Sequence, residues 1–237
     1  MPKTASPWLM LISRCALFFG LQGLIALGFL AAGSPAAWTA SARWWPFVAA
    51  GANLVSLLLL VRLFRAEGKR YWDLFRFQRE TWKTDLLWLL GSSVVGLPLA
   101  AAPMAVLSPW LYGDSLTAPR LMFQPLPGWA LAAAFLFPLT IWAAELPTYF
   151  AYVMPRLAAQ LKSGWAAWLL AALFLSLQHV FLPYLPDPRF WLYRGLMYLP
   201  FALFIGLLLK LRPQMLPYAA ILHALMDISA LSVYWMM

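Results

Sequence analysis

An all-α membrane protein follows from three properties of the sequence. Of its 237 residues, 64% are hydrophobic and 11% charged, outside the range of a soluble globular domain. The apolar residues gather in runs of about 20, the length that crosses a bilayer as a helix. The charged residues stand mostly at the ends of those runs. The expectation is a polytopic helical membrane protein with about seven transmembrane helices plus one interfacial amphipathic helix. It forms a single membrane domain over residues 1–237, because no polar stretch leaves room for a soluble one.

Span one runs from Pro7 to Gly33, and no small-residue cleavage site follows at signal-peptide distance, so it reads as a retained span. Its Arg14 lies close enough to the N-terminal end to snorkel to the interface. Span two, Trp44 to Phe64, opens on the interfacial pair Trp44 and Trp45 and closes on Arg62 and Arg65. Residues 1–66 therefore read as two N-terminal anchor spans. Gly68 to Lys83 is too charged to span, yet sets Tyr71, Leu74, Phe75 and Trp82 on one helical face. It reads as the interfacial helix, serving either lipid or substrate capture or as a plain basic connector.

Span three covers Asp85 to Leu107, with Gly91, Gly96, Pro98 and Pro103 allowing close approach or bending. Pro109 to Pro127 is a proline-rich loop. Span four runs from Gly128 through Glu145 to Gln160, and span five from Trp165 to Leu182 with His179. A proline-rich turn, Pro183 to Phe190, leads to span six, Phe190 to Leu209, which carries Arg194. Span seven, Gln214 to Tyr234, holds His223 and Asp227.

The net charge of +9 suggests nucleic acid only until its placement is considered. Lys3, Arg65, Lys69, Arg70, Arg76, Arg79, Lys83, Arg156, Lys162, Lys210 and Arg212 fall on one side of the seven-span arrangement. Arg43, Arg120 and Arg189 fall on the other. That is the positive-inside pattern, with membrane lipids as partner and no nucleic acid. It places the N-terminus in the cytoplasm and the C-terminus outside, in the inner membrane if the host is bacterial. The single cysteine, Cys15, excludes an internal disulfide and a cysteine metal cluster.

Function is signalled by polar residues where the solvent least favours them. Glu145 and Asp227 are the acidic residues well inside apolar spans, and the only histidines, His179 and His223, are there too. At about 1.5 Å per residue, Glu145 and His223 reach similar depths, and His223 and Asp227 share a helical face one turn apart. Pro147 has no N–H for the carbonyl of Ala143, leaving an acceptor and a bend beside Glu145. Three chemistries suit this set. Glu145 activates water for attack on a peptide bond beside oxyanion donors; Glu145, His179 and His223 hold zinc or another divalent metal; or the residues form a proton or ion pathway. A purely structural role, as hydrogen-bonded contacts between helices, is the fourth reading.

The order of a glutamate, a histidine, and a histidine with a polar residue four later, on separate C-terminal helices, resembles the CPBP family of intramembrane proteases. This family includes the CAAX prenyl endopeptidases and the Abi proteins. Its first motif, EExxxRG followed by an aromatic and Pro-Arg-Leu, is matched by Glu145, Ala151, Tyr152, Pro155, Arg156 and Leu157. Leu146 and Phe150 stand in place of the second glutamate and the arginine. The FxxxH motif is matched at His179 with Leu175 for the phenylalanine, and HxxxN at His223 with Asp227 for the asparagine. The resemblance covers residues 85–235.

It implies an endopeptidase, acting on a peptide or membrane-protein substrate, with no metal cofactor. Glu145 is then the general base, His179 its partner, and His223 with Asp227 the oxyanion donors. Tyr149 and Arg194 support the site, Arg194 by reaching Glu145 in place of the missing arginine. The departures at Leu146, Phe150 and Asp227 leave a second expectation open: a catalytically degenerate member, acting as a partner-binding or bacteriocin-immunity-like membrane protein.

Overall fold

The computed structural model describes residues 7–235, and among these there are helices and no strand. Lys3, counted above on the cytoplasmic side, lies outside the described residues. Twelve α-helices follow in order: α1 (Pro7–Ala31), α2 (Ala37–Ala42), α3 (Trp45–Ala66), α4 (Trp82–Tyr112), α5 (Thr117–Met122), α6 (Gly128–Ala133), α7 (Leu136–Ile141), α8 (Met154–Leu161), α9 (Gly164–Leu177), α10 (Pro188–Met197), α11 (Leu199–Leu211) and α12 (Leu216–Leu231).

Among the described residues, six helical stretches are long and apolar enough to cross a bilayer: Pro7–Ala31, Trp45–Ala66, Trp82–Tyr112, Gly164–Phe181, Pro188–Leu211 and Pro213–Tyr234. Each coincides with a span expected from the sequence. Their outward faces carry large exposed apolar side chains such as Leu24, Leu27, Leu87, Val94 and Val106, the surface an integral membrane protein offers to lipid. Inside, lipid supplies no hydrophobic drive between helices, so close packing of small residues does the joining. At Gly206 of α11 an added Cβ would lie 2.6 Å from the Phe150 ring.

The remaining expected span, Gly128 to Gln160, is a broken rod. It consists of α6, α7, a π-helical segment Pro147–Val153 and α8. The joints keep right-handed helical backbone, as at Ala134 (φ −60, ψ −22), Trp142 (φ −55, ψ −34) and Leu146 (φ −58, ψ −40). Prolines 138, 147 and 155 each remove one backbone donor from the ladder. The carbonyl that Pro147 leaves behind, Ala143, is not open to water: the Tyr71 hydroxyl donates to it. Trp129 at one end of the rod packs on Trp44, with ring centroids 5.8 Å apart. At the other end, Gln160 accepts from the Trp8 indole at 3.1 Å.

Two expectations are corrected. The segment Gly68 to Lys83 is not an amphipathic helix but a single 3₁₀ turn, Tyr71–Phe75, followed by extended backbone at Arg76. Tertiary contact overrides periodicity here: Tyr71 is drawn inward, buried against Phe64 (5.6 Å between ring centroids) and bonded to Ala143. Trp82, assigned to the same face, opens α4 and is exposed. The loop Pro109 to Pro127 is shorter than expected. The helix α4 continues through Pro109 to Tyr112 and stops at Gly113, whose φ of 82° is left-handed. A further helix, α5, then starts where the Asp114 carboxylate accepts the N–H groups of Leu116 (2.7 Å) and Thr117 (2.8 Å).

Arg156, in the Pro-Arg-Leu tail, ties this rod to the second N-terminal span. Its Nε donates to Glu67 Oε1 at 2.7 Å, Nη2 pairs with Oε2, and the guanidinium lies 3.8 Å from the Tyr152 ring centroid. The hydrogen bond from Arg156 is the main reason that the Glu67 carboxyl titrates below its usual range. A carboxylate with a lowered folded-state pKa stabilises the fold above its unfolded value of about 4.3, and that contribution is lost as pH falls through the folded value. Glu67→Gln is therefore expected to cost about 1 kcal/mol at neutral pH. The difference from wild type should shrink in acid, as read from thermal unfolding at pH 7 and pH 3. An equal difference at both would disprove the pairing.

Candidate functional site

Glu145 lies at the joint between α7 and the π-helical segment, buried with 2% exposure. Such π-turns recur at functional sites because they re-aim side chains out of helical register. Its two oxygens face different partners. Oε2 accepts from the Gln178 side-chain amide at 2.8 Å and from Arg14 Nη2 at 3.3 Å. Oε1 lies 3.4 Å from His223 Nε2.

The cation at Glu145 corrects two expectations. Arg14 does not snorkel: it is fully buried on α1. Its Nε donates to Gln178 Oε1 at 2.6 Å, Nη2 to Asn53 Oδ1 at 2.9 Å, and Nη1 to Ser56 Oγ at 3.3 Å. Arg194 does not reach Glu145. It donates to the carbonyls of His179 (Nε, 3.1 Å) and Leu182 (Nη2) instead. The two N-terminal spans are thus more than anchors, because α1 supplies the cation and α3 supplies Asn53 and Ser56 to hold it. Asn53 is held in turn, its amide donating to Thr140 Oγ1 at 3.0 Å.

Gln178 links these groups. Its oxygen accepts from Arg14 and, at 3.3 Å, from the Tyr149 hydroxyl, while its nitrogen donates to Glu145. Tyr149 therefore supports the carboxylate through Gln178 rather than by contact.

His223, on α12, is buried and its Nε2 lies 3.4 Å from both Glu145 Oε1 and Asp227 Oδ2. Facing the Glu145 carboxylate, which accepts, Nε2 is the ring nitrogen that carries hydrogen. Neither His223 Nδ1 nor Asp227 Oδ2 makes a hydrogen bond. His179 follows Gln178 in the short turn after α9, where its Nδ1 lies 2.9 Å from the Leu175 carbonyl. A carbonyl only accepts, so Nδ1 bears hydrogen and Nε2 keeps its lone pair in the neutral ring. The ring rests against Tyr198, 4.2 Å between centroids.

No family model, curated protein or solved structure matches the chain. The chemistry of the site is therefore argued from its geometry.

Glu145, His179, His223 and Asp227 line one cavity of about 340 Å³. Its other walls are mainly apolar, from α4, α11 and α12 among others, and its lining residues Leu97, Ala101 and Ser229 are exposed. The sequence-derived residues thus meet in one place, with Arg14, Asn53, Ser56 and Gln178 added behind them. Among the described residues no three His, Cys, Asp or Glu side chains converge as ligands, and a guanidinium and an amide hold one oxygen of Glu145.

Proposed function

We propose that the chain is an intramembrane endopeptidase of the CPBP type in which Glu145 is the general base. The observation that carries this reading is the unequal use of the carboxylate: Oε2 is fixed by Gln178 and Arg14, and Oε1 is left to face His223 at a cavity. Oε1 takes a proton from water and the hydroxide adds to the carbonyl carbon of the scissile bond. The C–N bond then breaks as the nitrogen receives the proton. His179, oriented through Nδ1, offers Nε2 to the attacking water. His223 and a protonated Asp227 donate to the oxyanion. Arg14 supplies from α1 the positive charge that Phe150 cannot supply from the motif position, so the departure there is compensated in space.

A seventh crossing, by the broken rod, belongs to the same proposal. The broken rod begins beside Trp44 and ends beside Trp8, at opposite ends of α1 and α3. The pairs Glu67–Arg156 and Asp85–Arg212 join span ends that all lie on the basic side of this topology. The positive-inside rule makes that side cytoplasmic, with the N-terminus. The membrane is the inner one if the host is bacterial, and the partners are membrane lipids and a peptide or membrane-protein substrate.

A second reading, a non-catalytic partner-binding or immunity-like protein, is favoured by Asp227, because an ionised carboxylate in the place of an amide repels an oxyanion. The two are separated by cleavage of a membrane-tethered reporter library by the reconstituted protein. An endopeptidase of this kind cuts in the presence of a metal chelator and loses activity as pH rises and Asp227 ionises. Asp227→Asn keeps or raises the rate and flattens the alkaline loss, since an amide donates at every pH. A wild type that cuts no reporter at any pH supports the second reading.

A further inference from the structure

Two guanidinium groups are buried in the bundle, and their surroundings differ in one respect. Arg14 faces the carboxylate of Glu145 at 3.3 Å. Arg194 of α10, 1% exposed, has no carboxylate within 4 Å among the described residues, since none of the ion pairs present includes it. Its Nε and Nη2 cap the carbonyls of His179 and Leu182. Its Nη1 faces the thioethers Met122 Sδ at 3.1 Å and Met197 Sδ at 3.2 Å, and the guanidinium lies 5.6 Å from the Tyr198 ring centroid. Sulfur is a weak acceptor and methionine a side chain that readily repacks, so this nitrogen is poorly satisfied and easily uncovered. An uncompensated cation inside a membrane protein is costly to keep unless something negative comes to it.

Arg194 also lines the same cavity as Glu145, whose walls toward α4 and α11 are apolar at Leu97, Ala100, Met104 and Phe201. The cavity's volume of about 340 Å³ suits one small ligand. Its exposed lining residues lie on α4 (Leu97, Ala101) and α12 (Ser229), within two of the long apolar stretches, so an apolar molecule reaches it from the bilayer without crossing water.

We propose that Arg194 is an anion receptor, taking on Nη1 the carboxylate of an apolar ligand whose chain lies along the α4 and α11 walls. The charge selects a monoanion and the walls select the chain, so the ligand class is an apolar chain ending in a carboxylate. A peptide C-terminus and a fatty acid both have that form. The assignment goes beyond the hydrolytic reading and holds whether or not Glu145 cleaves anything.

The test is equilibrium binding to the purified protein in nonionic detergent, with two matched pairs of probes. One pair is an N-acetylated leucine pentapeptide with a free C-terminal carboxylate and the same peptide amidated. The other is dodecanoate and dodecanol. In at least one pair the acid is expected to bind about ten- to hundredfold more tightly than its neutral partner, the worth of one hydrogen bond to a charged group. The pair that discriminates identifies the source of the ligand. Arg194→Gln removes the preference, Arg194→Lys keeps part of it, and Glu145→Gln leaves it intact, which separates binding from hydrolysis. Equal binding of acid and neutral forms by wild type, binding of no probe, or a preference that survives in Arg194→Gln overturns the proposal. Should Arg194→Gln fail to fold because two carbonyls lose their donor, the wild-type comparison and Arg194→Lys still decide.

Discussion

Arg14→Ala is expected to destabilise the protein by about 3–5 kcal/mol, the range for removing one partner of a buried ion pair. The loss is large because the partner stays behind. Glu145 would keep the Gln178 amide and the neighbouring His223 but lose the fixed cation on Oε2. Asn53 Oδ1, Ser56 Oγ and Gln178 Oε1 would lose their donor as well. Arg14→Lys is expected to recover only part of this, since an ammonium cannot place donors on acceptors contributed from α3, the α9 turn and the α7 joint together. The origin of the effect is tested by a double-mutant cycle of thermal unfolding in detergent. In a Glu145→Gln background no buried anion remains to be stranded, so Arg14→Ala should cost markedly less than in wild type. Additive losses would show that Arg14 acts through packing alone, for instance on the Phe18 ring 5.0 Å away.

The six long helices were legible in the sequence because a bilayer imposes one requirement, about 20 apolar residues with charges at the ends, and no tertiary detail alters it. Glu145, His179, His223 and Asp227 were legible for the complementary reason: each is a polar group where polarity is costly. What the sequence concealed was their support. Arg14 stands about 10 Å from the start of α1 at helical rise, within apparent reach of the interface, so the local snorkelling rule claimed it. A partner 131 positions away then outweighed that rule. A usable signal was nevertheless present. Glu145 required a cation, Asn53 is the only asparagine of the chain, and Ser56 lies three residues from it on the same face of a helix that is otherwise apolar as far as Arg62. The interfacial helix failed for a similar reason. Periodicity placed Tyr71 on a surface face, but its hydroxyl had a buried acceptor waiting at Ala143, made available by Pro147 in a segment 76 positions later.

Glu145→Gln is expected to lower cleavage of a tethered reporter by about 10²–10⁴-fold, the usual share of a general base, because an amide cannot take a proton from water. The same substitution leaves the surroundings largely satisfied. Gln178 and Arg14 still donate to the amide oxygen, and Arg14 retains neutral acceptors on Asn53, Ser56 and Gln178. The thermal midpoint should therefore move far less than in Arg14→Ala, and lost activity in a folded protein assigns the loss to chemistry rather than to collapse of the site. Glu145→Asp adds a geometric check. Anchored at Oε2 by Gln178 and Arg14, a side chain one methylene shorter withdraws its second oxygen from the cavity, so its rate should fall between those of wild type and Glu145→Gln. A rate unchanged in Glu145→Gln would place any hydrolysis elsewhere in the molecule and end the case for Glu145 as the base.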